Sequence, residues 1–507
     1  MGANQSKASI ANERLVIERL RALELKDEPD NGYVHIGEKE LVYPEKRVKS
    51  TAPWATLSIE EVGNWEHELL QDPKNRLALS ALSSADPKTV LTSRATIIED
   101  QQIFSVKIPF EGAPITNQRS SGRCWLFAST NVFRVALMKR HGLDKFELSQ
   151  AYLFFYDKLE KANFFLEQIL DTAGEDLDSR LVQTLLEGPV GDGGQWDMVY
   201  NLVNKYGLVP QVLYPDSFNA QSSSAINSLI TTKLREDALK LRDFATSGTK
   251  RRNDILAAKE KMMREIHLIL TLTLGPPPSP SSKFTWSYLD KNGAAHELTT
   301  TPLAFAKELE TPRSVRITNS TVHDMFSLVN DPRNEYGTLL TVDRLGNIVG
   351  GRNITYVNVS MDTMKTACIK MLQAGLPIFF GCDVGKYSNS TSGIMDTDLI
   401  DYELGFNVRL GLSKAQRLMT HESAMTHAMV LTAVHLDEAG KSVRWRVQNS
   451  WGEAAGSEGW FVMSDKWMDE FCFQAVVEPR FVDKSVRDVL KTEPKVLPLW
   501  DPMGALA

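Results

Sequence analysis

One stretch constrains this chain more than any other: Gln118-Arg-Ser-Ser-Gly-Arg-Cys124-Trp125-Leu-Phe-Ala-Ser129. Its cysteine opens an apolar run, Trp125 to Leu137, whose length and composition suit a buried helix. Ser120 and Ser121 stand just ahead of it as candidate N-caps. A cysteine in the first turn of a helix lies among unsatisfied N–H groups at the positive end of the helix dipole. That setting favours the thiolate, which is the nucleophilic form. Gln118, six residues earlier, carries a side-chain amide. With the cysteine's own backbone N–H, such an amide can form an oxyanion hole for an acyl transition state. The competing reading is a buried structural cysteine, and the C-terminal third of the chain weighs against it.

Composition narrows the class. At 507 residues the chain holds about three domains' worth of sequence, or one enlarged catalytic unit. Its 42% hydrophobic and 24% charged residues are those of a water-soluble globular protein. A net charge of −7 does not indicate nucleic-acid binding as its main task. The four cysteines, Cys124, Cys368, Cys382 and Cys472, lack metal-type spacing and suit a reducing compartment. No signal peptide and no apolar run near 18 residues is visible, so the expectation is a cytoplasmic protein. Met1-Gly2-Ala-Asn-Gln-Ser6 fits the N-myristoylation pattern at Gly2. One acyl chain gives only marginal membrane binding, so a membrane partner is expected only if Gly2 is acylated.

The texture of the chain suggests five regions. Residues 1–54 form an N-terminal extension with a charged amphipathic stretch over 10–26 and a turn-rich stretch to Pro53. Residues 55–214 read as a helical half around Cys124. Within it Ile97 to Phe110 alternates toward a strand, Ser149 caps a second buried helix, and 175–187 suggests a third. Gly193-Gly194 would let another backbone approach closely, as an extended peptide substrate must. Residues 215–335 read as a mostly helical insertion, interrupted by the breaker Gly275-Pro-Pro-Pro-Ser-Pro280. From 336 to 485 short β-rich runs take over, with a helix at Met364 to Ala374, and 486–507 is a C-terminal arm.

A cysteine nucleophile needs a general base, and that base needs an orienting partner. His427 heads a strongly apolar strand, and Asn449 ends the next one, followed by Ser450-Trp451-Gly452. The Asn449 side-chain oxygen can accept from one ring nitrogen of His427 and turn the other toward the thiol. Trp451 would shield that hydrogen bond from water. A metal site from His421, His427 and His435 is rejected: if the last two share a strand, they stand about 26 Å apart. No metal or other cofactor is expected.

Together Gln118, Cys124-Trp125, His427 and Asn449-Ser-Trp-Gly452 resemble the papain-like cysteine peptidases. Within them the match is to the bleomycin hydrolases. It is carried by Ser-Ser-Gly-Arg-Cys-Trp-Leu-Phe-Ala, Ser-Gln-Ala-Tyr-Leu-Phe-Phe-Tyr, Met-Thr-His-Ala-Met and the tail Trp500-Asp-Pro-Met-Gly-Ala-Leu-Ala507, from about residue 55 to the end. The resemblance implies an α+β fold, a helical half plus a β-sheet half, with a large helical insertion and N- and C-terminal arms. It implies Cys124 as nucleophile, His427 as base and acid, Asn449 as orienter, Gln118 as oxyanion donor and Gly193-Gly194 as a backbone platform for substrate.

Two departures stand out. The separation 427 − 124 = 303 residues exceeds the roughly 130–150 of simple papain-like enzymes, which fits the insertion. Ala455 stands where many such enzymes carry a second tryptophan.

In the family the C-terminal arm lies in the cleft with its carboxylate near the substrate's α-amino group, a place that Ala507 would take here. The resemblance further implies a homohexamer acting on peptides, on the bleomycin amide and on homocysteine thiolactone, with mitochondria as a further location. The rival readings are an endopeptidase or acyltransferase with the same triad, and a hexameric binding protein with a vestigial site.

Overall fold

The computed structural model describes residues 57–309 and 324–506 and divides into two compact units, residues 1–71 and 72–507. The calls on Gly2, the amphipathic stretch 10–26 and Ala507 lie outside the described residues. In the first unit, helix Ile59–Gln71 starts with a reciprocal cap. The Ser58 hydroxyl accepts from the Glu61 N–H at 3.0 Å, and the Glu61 carboxylate accepts from the Ser58 N–H at 3.1 Å.

The second unit is α+β. The helix Cys124–His141 runs through its centre, and every side chain from Cys124 to Met138 is buried. Its last turn carries Lys139, Arg140 and His141, which complement the negative dipole end, before Gly142 stops it in the left-handed conformation. Its start differs from the expectation. The N-cap residue is Arg123 and makes no side-chain cap, while the Ser121 hydroxyl donates to the Gln118 carbonyl at 2.6 Å instead. Ser121 is thus drawn into the preceding turn, and the N–H groups of Cys124 and Trp125 are left to the thiol. Helix Gln150–Asp171 begins as the sequence suggests, with the Ser149 hydroxyl accepting from the Tyr152 N–H at 3.1 Å. Between Ile97 and Phe110 only Val106–Lys107 is a strand; Ser93 caps a short helix, Arg94–Glu99, which takes up the isoleucines.

Two long helices, Ser224–Thr246 and Arg252–Leu274, pack on Gln150–Asp171. The rest of 215–335 is not helical throughout. An antiparallel hairpin, Phe284–Leu289 with Ala295–Thr300, follows. Strand Phe326–Val329 already belongs to the main sheet, before the expected boundary at 336. All four of its side chains are buried, so it lacks the alternation that marks a half-exposed strand.

Among the described residues the main sheet has twelve strands. At its centre Ile378–Cys382 pairs antiparallel with His427–Leu436 on one side and with Cys472–Val477 on the other. His427–Leu436 continues antiparallel to Ser442–Gln448, which pairs with Trp460–Ser464. At the far edge Lys495–Leu497 runs parallel to Leu339–Val342. Helix Cys124–His141 packs on strand His427–Leu436, and the Ala428 N–H reaches the Cys124 thiol, so the first residues of the two elements lie together. No described helix is long and apolar enough to cross a membrane.

Candidate active site

The cleft is built from three backbone segments. The Gln118 segment is strapped to the Asn449 loop by backbone bonds: the Gln118 N–H donates to the Ser450 carbonyl at 2.8 Å and the Gly452 N–H to Thr116 at 3.0 Å. Strand Ser442–Gln448 delivers Asn449 next to the head of strand His427–Leu436. There His427 Nε2 lies 2.9 Å from Asn449 Oδ1, which also accepts the Ser450 N–H at 2.8 Å. A neutral imidazole therefore donates from Nε2 and keeps Nδ1 as a free base. The Trp451 ring lies over this pair, its centroid 4.9 Å from that of the imidazole, and Phe461 braces the indole edge-on at 5.8 Å.

The backbone N–H groups of Ala428, Trp125 and Cys124 converge on the thiol and favour its thiolate. Burial outweighs them and, with a smaller push from the Asp192 charge, drives the thiol up to about 11. Burial likewise takes His427 down to about 4, against the bond to Asn449. Burial thus works against the thiolate that the helix N-terminus favours and against an imidazolium beside it.

Gln118 is held at both ends of its amide. Nε2 donates to the Ser121 carbonyl at 2.6 Å, and Oε1 accepts from the Ser450 hydroxyl at 2.7 Å. One of its two N–H groups remains for a developing oxyanion. Behind it sits fully buried Arg123, which sequence reasoning passed over. Its Nε donates to the Ser121 hydroxyl at 2.9 Å, and its two terminal nitrogens grip Asp216 at 2.8 Å each. The guanidinium lies over Phe127 and Phe154 at 5.2 and 5.4 Å. A lone arginine between glycine and an apolar helix was the available signal: enclosed there, it requires a carboxylate.

Asp192 was passed over as well. It accepts from the Gly122 N–H at 2.9 Å, from Asn227 at 2.7 Å and from Lys158 at 2.6 Å. Burial would raise its carboxyl, but the Lys158 charge and these hydrogen bonds hold it well below the usual range. Its carbonyl takes the Trp125 indole N–H at 2.7 Å. Gly194 lies flat on that indole: a Cβ there would come within 2.5 Å of the ring, so no other residue fits. Gly193 offers its carbonyl to Lys161 at 2.6 Å. The Gly193-Gly194 segment is thereby locked beside the residue that follows Cys124. Next to it, Gln195 Nε2 donates to the Ala505 carbonyl at 2.7 Å, which brings the C-terminal arm to the same wall. His435 stays eight residues along the strand from His427, away from the cleft.

The model of the Peptidase C1-like family matches residues 56–504. The chain is 43% identical over 461 residues to "Cysteine proteinase 1, mitochondrial" of Saccharomyces cerevisiae, covering 89% of this chain and 93% of the relative. It is 42% identical over 459 residues to the bleomycin hydrolase of Homo sapiens, covering 89% and 99%. The crystal structure of PepW from Lactobacillus rhamnosis superposes with a TM-score of 0.84 at 39% identity, covering 89% of this chain and all of that one.

Proposed function

The chain belongs to the Peptidase C1-like family and is a cysteine peptidase of bleomycin-hydrolase type; from that premise we propose that it removes N-terminal residues from peptides through an acyl-enzyme. His427 takes the Cys124 proton as the sulfur attacks the scissile carbonyl. The oxyanion turns to the Gln118 amide and the Cys124 N–H. As the C–N bond breaks, His427 returns the proton to the leaving amine. It then deprotonates the water that releases the acid and frees the thiol. Asn449 keeps the imidazole's donor away from the sulfur, and Trp451 keeps water from that bond. Gly193-Gly194 carries the substrate backbone.

The 2.9 Å bond between His427 and Asn449, at the head of the strand that faces Cys124, is the observation that carries this reading. Selectivity for a free amino terminus comes from the C-terminal arm. The carboxylate of Ala507 meets the substrate's α-ammonium and blocks longer chains, a reading supported by the hold on Ala505 beside Gly194. The same chemistry extends to bleomycin and to homocysteine thiolactone, in a cytoplasmic homohexamer with a share in mitochondria, a reading supported by the yeast relative's name.

The test is hydrolysis of a free-amino and an N-acetylated aminoacyl fluorogenic amide by wild type and Cys124→Ala. Cleavage of the free amine alone, lost in the variant, is the expected result. Equal cleavage of both substrates would instead indicate an endopeptidase, and activity surviving in Cys124→Ala would remove the thiol mechanism.

A further inference from the structure

Gln195 is the N-cap residue of helix Trp196–Tyr206, yet its side chain makes no cap bond to that helix. It is 1% exposed and spends its Nε2 on the Ala505 carbonyl, 310 residues away, at 2.7 Å. Its Oε1 is buried with no partner. A side chain placed to satisfy a helix end is thus turned to the C-terminal arm, with one of its own polar atoms left unmet.

Earlier parts of the arm have their own holds. Lys495–Leu497 joins the sheet edge, the Trp500 ring lies under the Arg180 guanidinium at 4.2 Å, and Asp501 pairs with Arg333 at 2.7 Å. The Tyr356 hydroxyl reaches the Met503 carbonyl at 3.3 Å. Beyond Met503, among the described residues, the Gln195 bond is the one side-chain hydrogen bond that reaches the arm. Leu506 then lines a cavity of about 220 Å³ with Phe164, Leu185 and Gly191. Apolar contact there resists withdrawal but does not set a position along the chain.

The latch is also registered to the nucleophile. Gln195 follows Gly194, which lies on the Trp125 indole, and Trp125 follows Cys124. The adjoining helix is anchored by buried Trp196, wedged edge-on against Phe133 of the nucleophile helix and against Phe379 of the sheet.

We propose that Gln195 is the specificity-determining positioning residue that fixes the end of the C-terminal arm relative to Cys124. Through that hold it sets the preference for substrates with a free amino terminus. This rests on the role given to the arm above. Without the hold the last residues fray, as chain ends do when untied. The terminal charge then leaves the place of the α-ammonium, and the unprimed side of the cleft opens to blocked chains.

The experiment compares wild type, Gln195→Glu, Gln195→Leu and a chain lacking Leu506 and Ala507. Each is assayed on free-amino and N-acetylated aminoacyl amides, with rates normalised to the thiol titrated by an irreversible alkylating agent. Glu keeps the shape but presents a carboxylate to the Ala505 carbonyl; Leu removes the donor. Both substitutions should raise KM for the free amine about tenfold and raise cleavage of the acetylated substrate, and so should the truncation. A fall in both activities with their ratio unchanged overturns the latch, because a purely structural residue would act that way. If truncation shifts the ratio and the Gln195 variants do not, the latch is wrong and the role of the arm stands. If truncation itself leaves the ratio unchanged, the role of the arm falls and the latch falls with it.

Discussion

Around Cys124 the helical wall of the cleft is fastened by buried charges, whereas the groups that hold the His427 ring itself are neutral. Arg123 with Asp216, Lys158 with Asp192 and Lys161 with Asp157 all lie behind the nucleophile. The base is held by an amide, an indole and the uncharged end of the neighbouring strand. A buried ion pair contributes little net stability but costs much when one partner is removed. A buried neutral histidine costs little until the pH asks it to charge. The helical wall is therefore sensitive to substitution and the sheet wall to acid.

The largest effect belongs to the helical wall. Asp192→Leu should strand Lys158, whose ammonium burial has already brought down to about 8, and lower stability by about 3–5 kcal/mol in urea unfolding. A loss within about 0.5 kcal/mol, typical of a surface substitution, would erase the contrast between the walls.

Acid should find the other wall. The folded pKa of His427 lies below its unfolded value near 6.5, so its contribution to stability is present above pH 6.5 and is lost as pH falls toward about 4. That span is worth about 3 kcal/mol. Urea unfolding of wild type and His427→Phe across pH 4–7 should show this steepness in wild type and lose it in the variant. Parallel profiles would mean that another group carries the acid sensitivity.

A smaller effect sharpens what the charges on the helical wall do for catalysis. Arg123→Gln should let Ser121 and Gln118 turn, lowering kcat about ten- to hundredfold with KM little changed, since the oxyanion contact matters most in the transition state. Asp216→Asn should give a milder loss in the same direction. A rise in KM at constant kcat would assign the pair to substrate binding instead.

The smallest readout tests the resting proton. With Cys124 pushed up to about 11, inactivation by iodoacetamide should climb by up to tenfold per pH unit between pH 7 and 9. A flat rate from pH 5 to 8 would indicate a standing thiolate–imidazolium pair and weaken the contrast drawn from burial.

Much of the site was legible in the sequence because its parts are local. A glycine-bearing turn before an apolar helix, a histidine heading an apolar strand and an Asn-Ser-Trp-Gly run each declare themselves within about ten residues. The helix Cys124–His141 and the strands at 427 and 442 follow from those runs. Less was legible where short-range pattern misleads. Ser120 and Ser121 read as caps, but Arg123 takes the N-cap place and the Ser121 hydroxyl bonds the carbonyl that its turn presents. Phe326–Val329 was merged with the insertion because a strand buried on both faces has no period to read.

The sequence by itself determined the kinds of group available and the elements that carry them: the thiol, the imidazole, two side-chain amides, a central helix and an apolar sheet. The tertiary structure alone decided their burial and register. Burial of Cys124 and His427 depends on surfaces from both halves of the second unit, and desolvation has no local sequence signature. Trp125 with Asp192 and Gln195 with Ala505 join residues 67 and 310 positions apart. Helix and strand preferences are set by neighbours a few residues away, while a hydrogen bond across such a span exists only once the chain has packed.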